Sequence, residues 1–177
     1  MLTQAMAARM TPAEVRRLDR DAFVAAFGAV FEHSPWVAER AFAQGPFAGV
    51  EALHAAMTRA VAAAPTEAKL ALIRAHPDLA GRAALRGELT AASKTEQSRS
   101  GLADLTAAEL ARFHELNAAY RAKFGFPFVM AVKYSNKHDI LAAFVERLKN
   151  DQAAELERAL SEIGKIARYR LDDIVQG

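Results

Sequence analysis

The chain has 177 residues, 52% of them hydrophobic, which is enough to bury the core of one domain. Lys and Arg number 23 against 21 Asp and Glu, giving a net charge of only +2. The signs are interleaved, and no concentrated basic run marks a nucleic-acid partner. Cysteine is absent, so disulfides and thiolate metal sites are excluded, and a reducing interior is compatible.

Helical punctuation dominates from the start. Thr11-Pro12-Ala13-Glu14 combines an N-cap, a proline at the first helical position and a capping-box glutamate. Asp21 is expected to cap a second helix, with Phe23, Phe27, Val30 and Phe31 at helical spacing. Ser34-Pro35 leads into a short helix over Trp36–Phe42, broken by Gly45-Pro46. An alanine-rich helix is expected from about Val50 to Ala64, with Leu53, Met57 and Val61 on one face. Pro65 ends it, and Thr66 is expected to cap the next, which runs to the residue before Pro77.

Thr106-x-x-Glu109 opens the clearest amphipathic helix, with Leu110, Phe113, Leu116, Asn117 and Tyr120 on one stripe and Gly125 as a stop. Two further helices are expected, one over His138–Lys149 and a last one beginning near Asp151. The one β-like run, Phe126 to Tyr134, carries an early proline that argues against a central strand. The predicted fold class is therefore all-α, a single-domain compact bundle of about seven to nine helices over residues 1–177. The N-terminus shows no secretory pattern, no window approaches a membrane span, and the last residues do not match a peroxisomal address. A soluble cytoplasmic protein with no membrane partner is expected.

Chemistry concentrates in two segments. In His76-Pro77-Asp78-Leu79-Ala80 the proline disfavours the helical conformation at His76, placing an imidazole where a helix has just ended. A histidine there can be a C-cap or a proton-transfer group. In Ser93-x-x-Glu96-Gln97 the spacing matches a capping box, a device repeated at Thr11/Glu14 and Thr106/Glu109. Gln97 adds an amide able both to donate and to accept. The run from Gly125 to Val132 reads either as a buried apolar connection or as backbone lining a pocket for a polar heterocycle. Arg168 and Arg170 either offset the helix dipole or turn a guanidinium inward to hold a carboxylate or carbonyl. His33, His54, His114 and His138 form no ligand pair, so metal ligation is not expected, and no phosphate loop or nucleophile elbow is present.

Five motifs occur in a fixed order. They are Ser34-Pro35-Trp36-Val37-Ala38-Glu39-Arg40-Ala41, His76-Pro77-Asp78-Leu79-Ala80-Gly81, and Leu89-Thr90-x-x-Ser93-x-x-Glu96-Gln97-x-x-x-Gly101-Leu102. Leu116-Asn117-x-x-Tyr120-x-x-Lys123-Phe124-Gly125-Phe126-Pro127-Phe128 and Arg170-Leu171 complete the series. From about Asp19 to Leu171 the chain resembles the 2-oxo-4-hydroxy-4-carboxy-5-ureidoimidazoline (OHCU) decarboxylase family of urate breakdown.

The resemblance implies an all-helical, cofactor-free carboxy-lyase that converts OHCU to (S)-allantoin. It assigns the catalytic acid to His76 and a catalytic carboxylate to Glu96. Substrate contacts fall on Pro77, Ser93, Gln97 and Arg170, with main-chain contacts at Phe128, Val129, Met130, Ala131 and Val132. The implied partner is the small ureidoimidazoline substrate. The family often dimerises, and the aromatic-rich N-terminal helices offer a surface for a homodimer. Ser100 stands where the family usually has alanine, and Phe42 replaces a common tryptophan. Two alternatives are an Hsp70-binding J-domain, which also carries His-Pro-Asp but is far shorter, and a related enzyme acting on another ureido compound.

Overall fold

Local capping rules set where most helices begin. The structure, a computed structural model, describes residues 8–81 and 86–177. Among them are nine helices: α1 Pro12–Val15, α2 Arg20–Phe27, α3 Trp36–Phe42, α4 Val50–Ala62, α5 Thr66–Arg74, α6 Ala91–Arg99, α7 Ala107–Phe124, α8 Lys137–Arg147 and α9 Gln152–Ile174. Thr11/Glu14 and Thr106/Glu109 form the expected capping boxes, and Asn136/Asp139 forms a third. Extended pairing among the described residues is limited to one bridge between Met10 and Val175. The all-α prediction holds, and the Phe126–Tyr134 run forms no strand.

Several predicted boundaries shift. Asp19, not Asp21, caps α2, accepting the Ala22 N–H at 2.9 Å. Pro65 occupies the N-cap position of α5, and Thr66 is already its first helical residue. The capping box expected of Ser93 and Glu96 does not form. Thr90 caps α6 by accepting the Ser93 N–H at 3.2 Å, which leaves Ser93 and Glu96 inside the helix.

The chain divides into two units. The first contains the chain up to Ala64 together with Ala167–Gly177. Within it α3 packs against α2 and α4. Phe23 is the centre of an aromatic cluster, with ring centroids 4.8 Å from Phe27, 5.3 Å from Phe42 and 5.9 Å from Phe47. Burying each such side chain is worth about 1.5–3 kcal/mol relative to exposure.

The second unit is Pro65–Ile166. Its core gathers Tyr120 with Phe124, Phe126, Phe128 and Phe144, while Phe128 stacks on Phe144 at 3.7 Å. Gly125, at φ +75°, ends α7 in the left-handed conformation that glycine adopts without steric cost. No described helix is long and apolar enough to cross a membrane.

Candidate active site

α5 stops at Arg74, and the chain then turns through His76-Pro77-Asp78-Leu79-Ala80. His76 is buried, 6% exposed, and its Nδ1 lies 2.9 Å from the Leu72 carbonyl oxygen. A carbonyl only accepts, so Nδ1 carries the hydrogen and the acid–base chemistry of the ring resides on Nε2. The histidine does serve the end of α5, as a C-cap would. The same bond fixes the orientation and tautomer of the ring.

The loop after His76 is fastened by side chains from two other helices. Gln97 of α6 accepts the Ala80 N–H at 3.0 Å through Oε1 and donates to the Asp78 carbonyl at 3.4 Å. Asn117 of α7 donates to the Leu79 carbonyl at 2.9 Å, and Arg121 donates to both Asp78 carboxylate oxygens at 3.0 and 3.1 Å. Ala80 is held at φ +51°. The turn is so tight that a Cβ on Gly81 would come within 2.6 Å of the Asp78 Cβ, so only glycine fits the sixth position of the motif.

The buried positions of α6 are Ser93 and Gln97, and the C-cap Ser100 is buried after them, while Glu96 is half-buried on the same side. This spacing gives the helix a polar rather than an apolar inner face. Ser100 donates to the Gln97 carbonyl at 2.8 Å, so its departure from the family's usual alanine is accommodated by a local bond. Gln97 thus joins the His-Pro-Asp motif to the Ser-x-x-Glu-Gln motif.

The segment Phe128–Val132 is anchored by α7, α8 and α9. The Tyr120 ring meets Phe128 edge-on at 5.3 Å, and the Arg147 guanidinium lies 4.3 Å over the Phe128 ring. Arg147 also donates to the Val129 carbonyl at 2.7 Å, and the Ala131 N–H donates to Glu162 at 2.9 Å. The Val132 carbonyl accepts from Ser135. The Val129 and Val132 carbonyls and the Ala131 N–H are thus committed within the protein.

Arg147 is balanced by Glu155, at 2.6 and 2.7 Å, and Tyr120 donates its hydroxyl to the same carboxylate. Burial first, and then that hydrogen bond, hold the Tyr120 phenol far above its ordinary range, so it stays protonated. Burial pushes the Glu162 carboxyl upward. Hydrogen bonds from Lys165 and Ala131 and the charges of Lys165 and Arg158 outweigh that and hold it below the usual range.

Arg170 belongs to the first unit. It is buried, 7% exposed, and donates to Glu32 at 2.9 Å and to the Val30 carbonyl at 3.2 Å. Arg168 instead pairs with Glu51 and Asp172. Of the two late arginines, Arg170 is thus the inward-turned one, and Glu32 is a partner the sequence did not announce. A cavity of about 410 Å³ in the first unit, walled by Phe23, Phe42 and Phe47, includes none of the predicted site residues. Among the described residues no group of three or more His, Cys, Asp or Glu could hold a metal ion.

Comparison with known proteins decides the family. The OHCU decarboxylase family model matches residues 16–172. The chain belongs to the OHCU decarboxylase family. It is 48% identical over 162 residues to the 2-oxo-4-hydroxy-4-carboxy-5-ureidoimidazoline decarboxylase of Haloferax volcanii, covering 92% of this chain and 94% of that one. The enzyme of the same name from Mus musculus is 38% identical, with 94% and 93% covered. The uric acid degradation bifunctional protein PucL of Bacillus subtilis is 40% identical over 92% of this chain but only 32% of its own length.

Among solved structures, that of (S)-allantoin synthase superposes with a TM-score of 0.73 at 32% identity, covering 94% of this chain and 54% of that one. An OHCU decarboxylase structure determined in the presence of (S)-allantoin shares the fold, with a TM-score of 0.65 at 22% identity, 87% of this chain and 96% of that one. Membership in this family sets aside the J-domain alternative.

Proposed function

We propose that this OHCU decarboxylase family member removes carbon dioxide from OHCU to give (S)-allantoin in urate catabolism. The reading is supported by one local observation within a chain of this family. A buried imidazole has its Nδ1–H committed to a helix-end carbonyl, and its loop is tied down by Gln97, Asn117 and Arg121.

In the proposed reaction the bond from the ring carbon to the carboxylate breaks, and carbon dioxide leaves. The bonding pair forms a C=C bond with the neighbouring ring carbon, whose C=N electrons move onto nitrogen, which takes a proton. Protonation of the ureido-bearing carbon on one face, with loss of the hydroxyl proton, then gives the carbonyl of allantoin. His76 Nε2 is the group for proton transfer and Glu96 the carboxylate that sets its charge state. Pro77, Ser93, Gln97 and the main chain of Phe128–Val132 hold the planar ring and ureido group, and Arg170 is a further substrate contact. General acid–base catalysis of this kind contributes on the order of 10²–10⁴ in rate.

His76→Asn retains an N–H able to reach the Leu72 carbonyl while removing the titrating nitrogen. We expect it to fold normally and to lose stereospecific allantoin formation by about 10²-fold or more. Circular dichroism of allantoin formed from freshly oxidised urate measures this. Near-normal turnover of a single enantiomer by the variant would sink the assignment. A cytoplasmic setting and a homodimeric state are further parts of the proposal, accessible to cell fractionation and to light scattering.

A further inference from the structure

Glu162 is a buried carboxylate, 3% exposed, that the proposed chemistry does not use. Its two oxygens are divided between tasks. Oε1 meets Lys165 at 2.8 Å and Arg158 at 3.0 Å, both on half-exposed side chains. Oε2 accepts the Ala131 N–H at 2.9 Å. Two turns earlier on the same helix, Glu155 is fully buried and holds Arg147, which grips the Val129 carbonyl. α9 thus presents two carboxylates seven residues apart. One holds the segment Phe128–Val132 directly through an amide, and the other holds it through an arginine.

A buried carboxylate is a poor device for stability, because desolvation offsets much of what its partners return. It is an effective device for direction, since a charged acceptor fixes the line of the N–H that meets it. Fixing the Ala131 N–H and the Val129 carbonyl sets the two peptide planes on either side of Met130. Those two planes also carry the Met130 N–H and the Met130 carbonyl, which take their direction from them.

We infer that Glu162 is a positioning residue for the substrate, acting through Ala131 to aim the main-chain groups around Met130. The inference rests on the reading above that Phe128–Val132 contacts the substrate. Such a residue governs binding more than the chemical step, so its removal acts on KM.

Three variants test this, with steady-state kinetics on substrate generated in situ from urate and with thermal melts. Glu162→Gln keeps an acceptor for Ala131 and removes the charge. Glu162→Leu and Glu162→Ala remove the acceptor. We expect KM to rise about tenfold in Glu162→Leu and Glu162→Ala, the size of one lost hydrogen bond, with kcat within about threefold of wild type. Glu162→Gln should stay within about threefold of wild type in both constants. Restoration of KM by glutamine is the signature that a merely structural role would not give. Wild-type KM in a folded Glu162→Leu or Glu162→Ala protein, or an equal KM rise in all three variants, overturns the inference alone. A wild-type protein that forms no allantoin overturns the proposed reaction and the inference with it.

Discussion

Ala80 sits at φ +51°, where an L side chain costs about 1–2 kcal/mol, and it does so one turn of chain from His76. The surrounding bonds divide unequally in what they supply. Arg121 meets Asp78 with both side chains partly in water, a contact worth about 0–1 kcal/mol that mainly orients. Asn117 is buried, and its Nδ2 is bound to Leu79 while its Oδ1 has no hydrogen-bond partner among the described residues. An unsatisfied acceptor of this kind costs about 1–3 kcal/mol, which marks Asn117 as placed for its donor. Asn117→Asp replaces that donor by an acceptor facing a carbonyl. We expect a loss of about 1–3 kcal/mol or more in urea denaturation, and an unchanged midpoint would contradict the role. His76 was legible in the sequence because Pro77 forces a helix end there. Asn117 was visible as a polar position in an apolar stripe, but its partner lies 38 residues away, beyond what spacing can express.

Among the helices, α6 is held differently from its neighbours. Its inner positions, Ser93 and Gln97, are polar, whereas α7 buries Phe113, Leu116, Tyr120 and Phe124. Local detachment of α6 therefore exposes little apolar surface. We expect its amides to exchange with deuterium through openings that depend only weakly on urea, while those of α7 follow the steeper global dependence. Equal slopes for the two helices would refute this. The capping boxes at Thr11 and Thr106 were readable because a side chain and the backbone three residues on decide them locally. Ser93/Glu96 has the same spacing and fails because Thr90 stands three residues earlier and takes the cap. Within the helix, Ser93 and Gln97 turn inward. Asp19 and Asp21 illustrate a milder ambiguity, since either carboxylate could begin α2 and only one does.

For the molecule as a whole, acid is the condition that tests the buried carboxylates. Glu162 has a folded pKa below its ordinary value of 4.5, so it contributes stability that is fully present above about that pH. The contribution is lost as pH falls through the lower folded value. Glu162→Gln removes this dependence, so wild type should lose stability more steeply than the variant below pH 4.5, as followed by urea midpoints against pH. Parallel acid limbs would show that the carboxylate is not linked to folding. The all-helical architecture was legible throughout, because caps, prolines and apolar spacing are local. The pairing of Glu162 with Ala131, of Glu155 with Arg147 and of Glu32 with Arg170 was not, because a buried acid and an exposed one look the same in a sequence.

The fastening of the His-Pro-Asp loop has a genetic consequence. Its orientation is written on α5 at Leu72, on α6 at Gln97 and on α7 at Asn117 and Arg121. The pentapeptide has no shape of its own to carry into another scaffold, and a graft would transfer the imidazole without its aim. What is inherited with this loop is a scattered set of side chains, reaching as far as Arg121, 43 residues beyond Asp78.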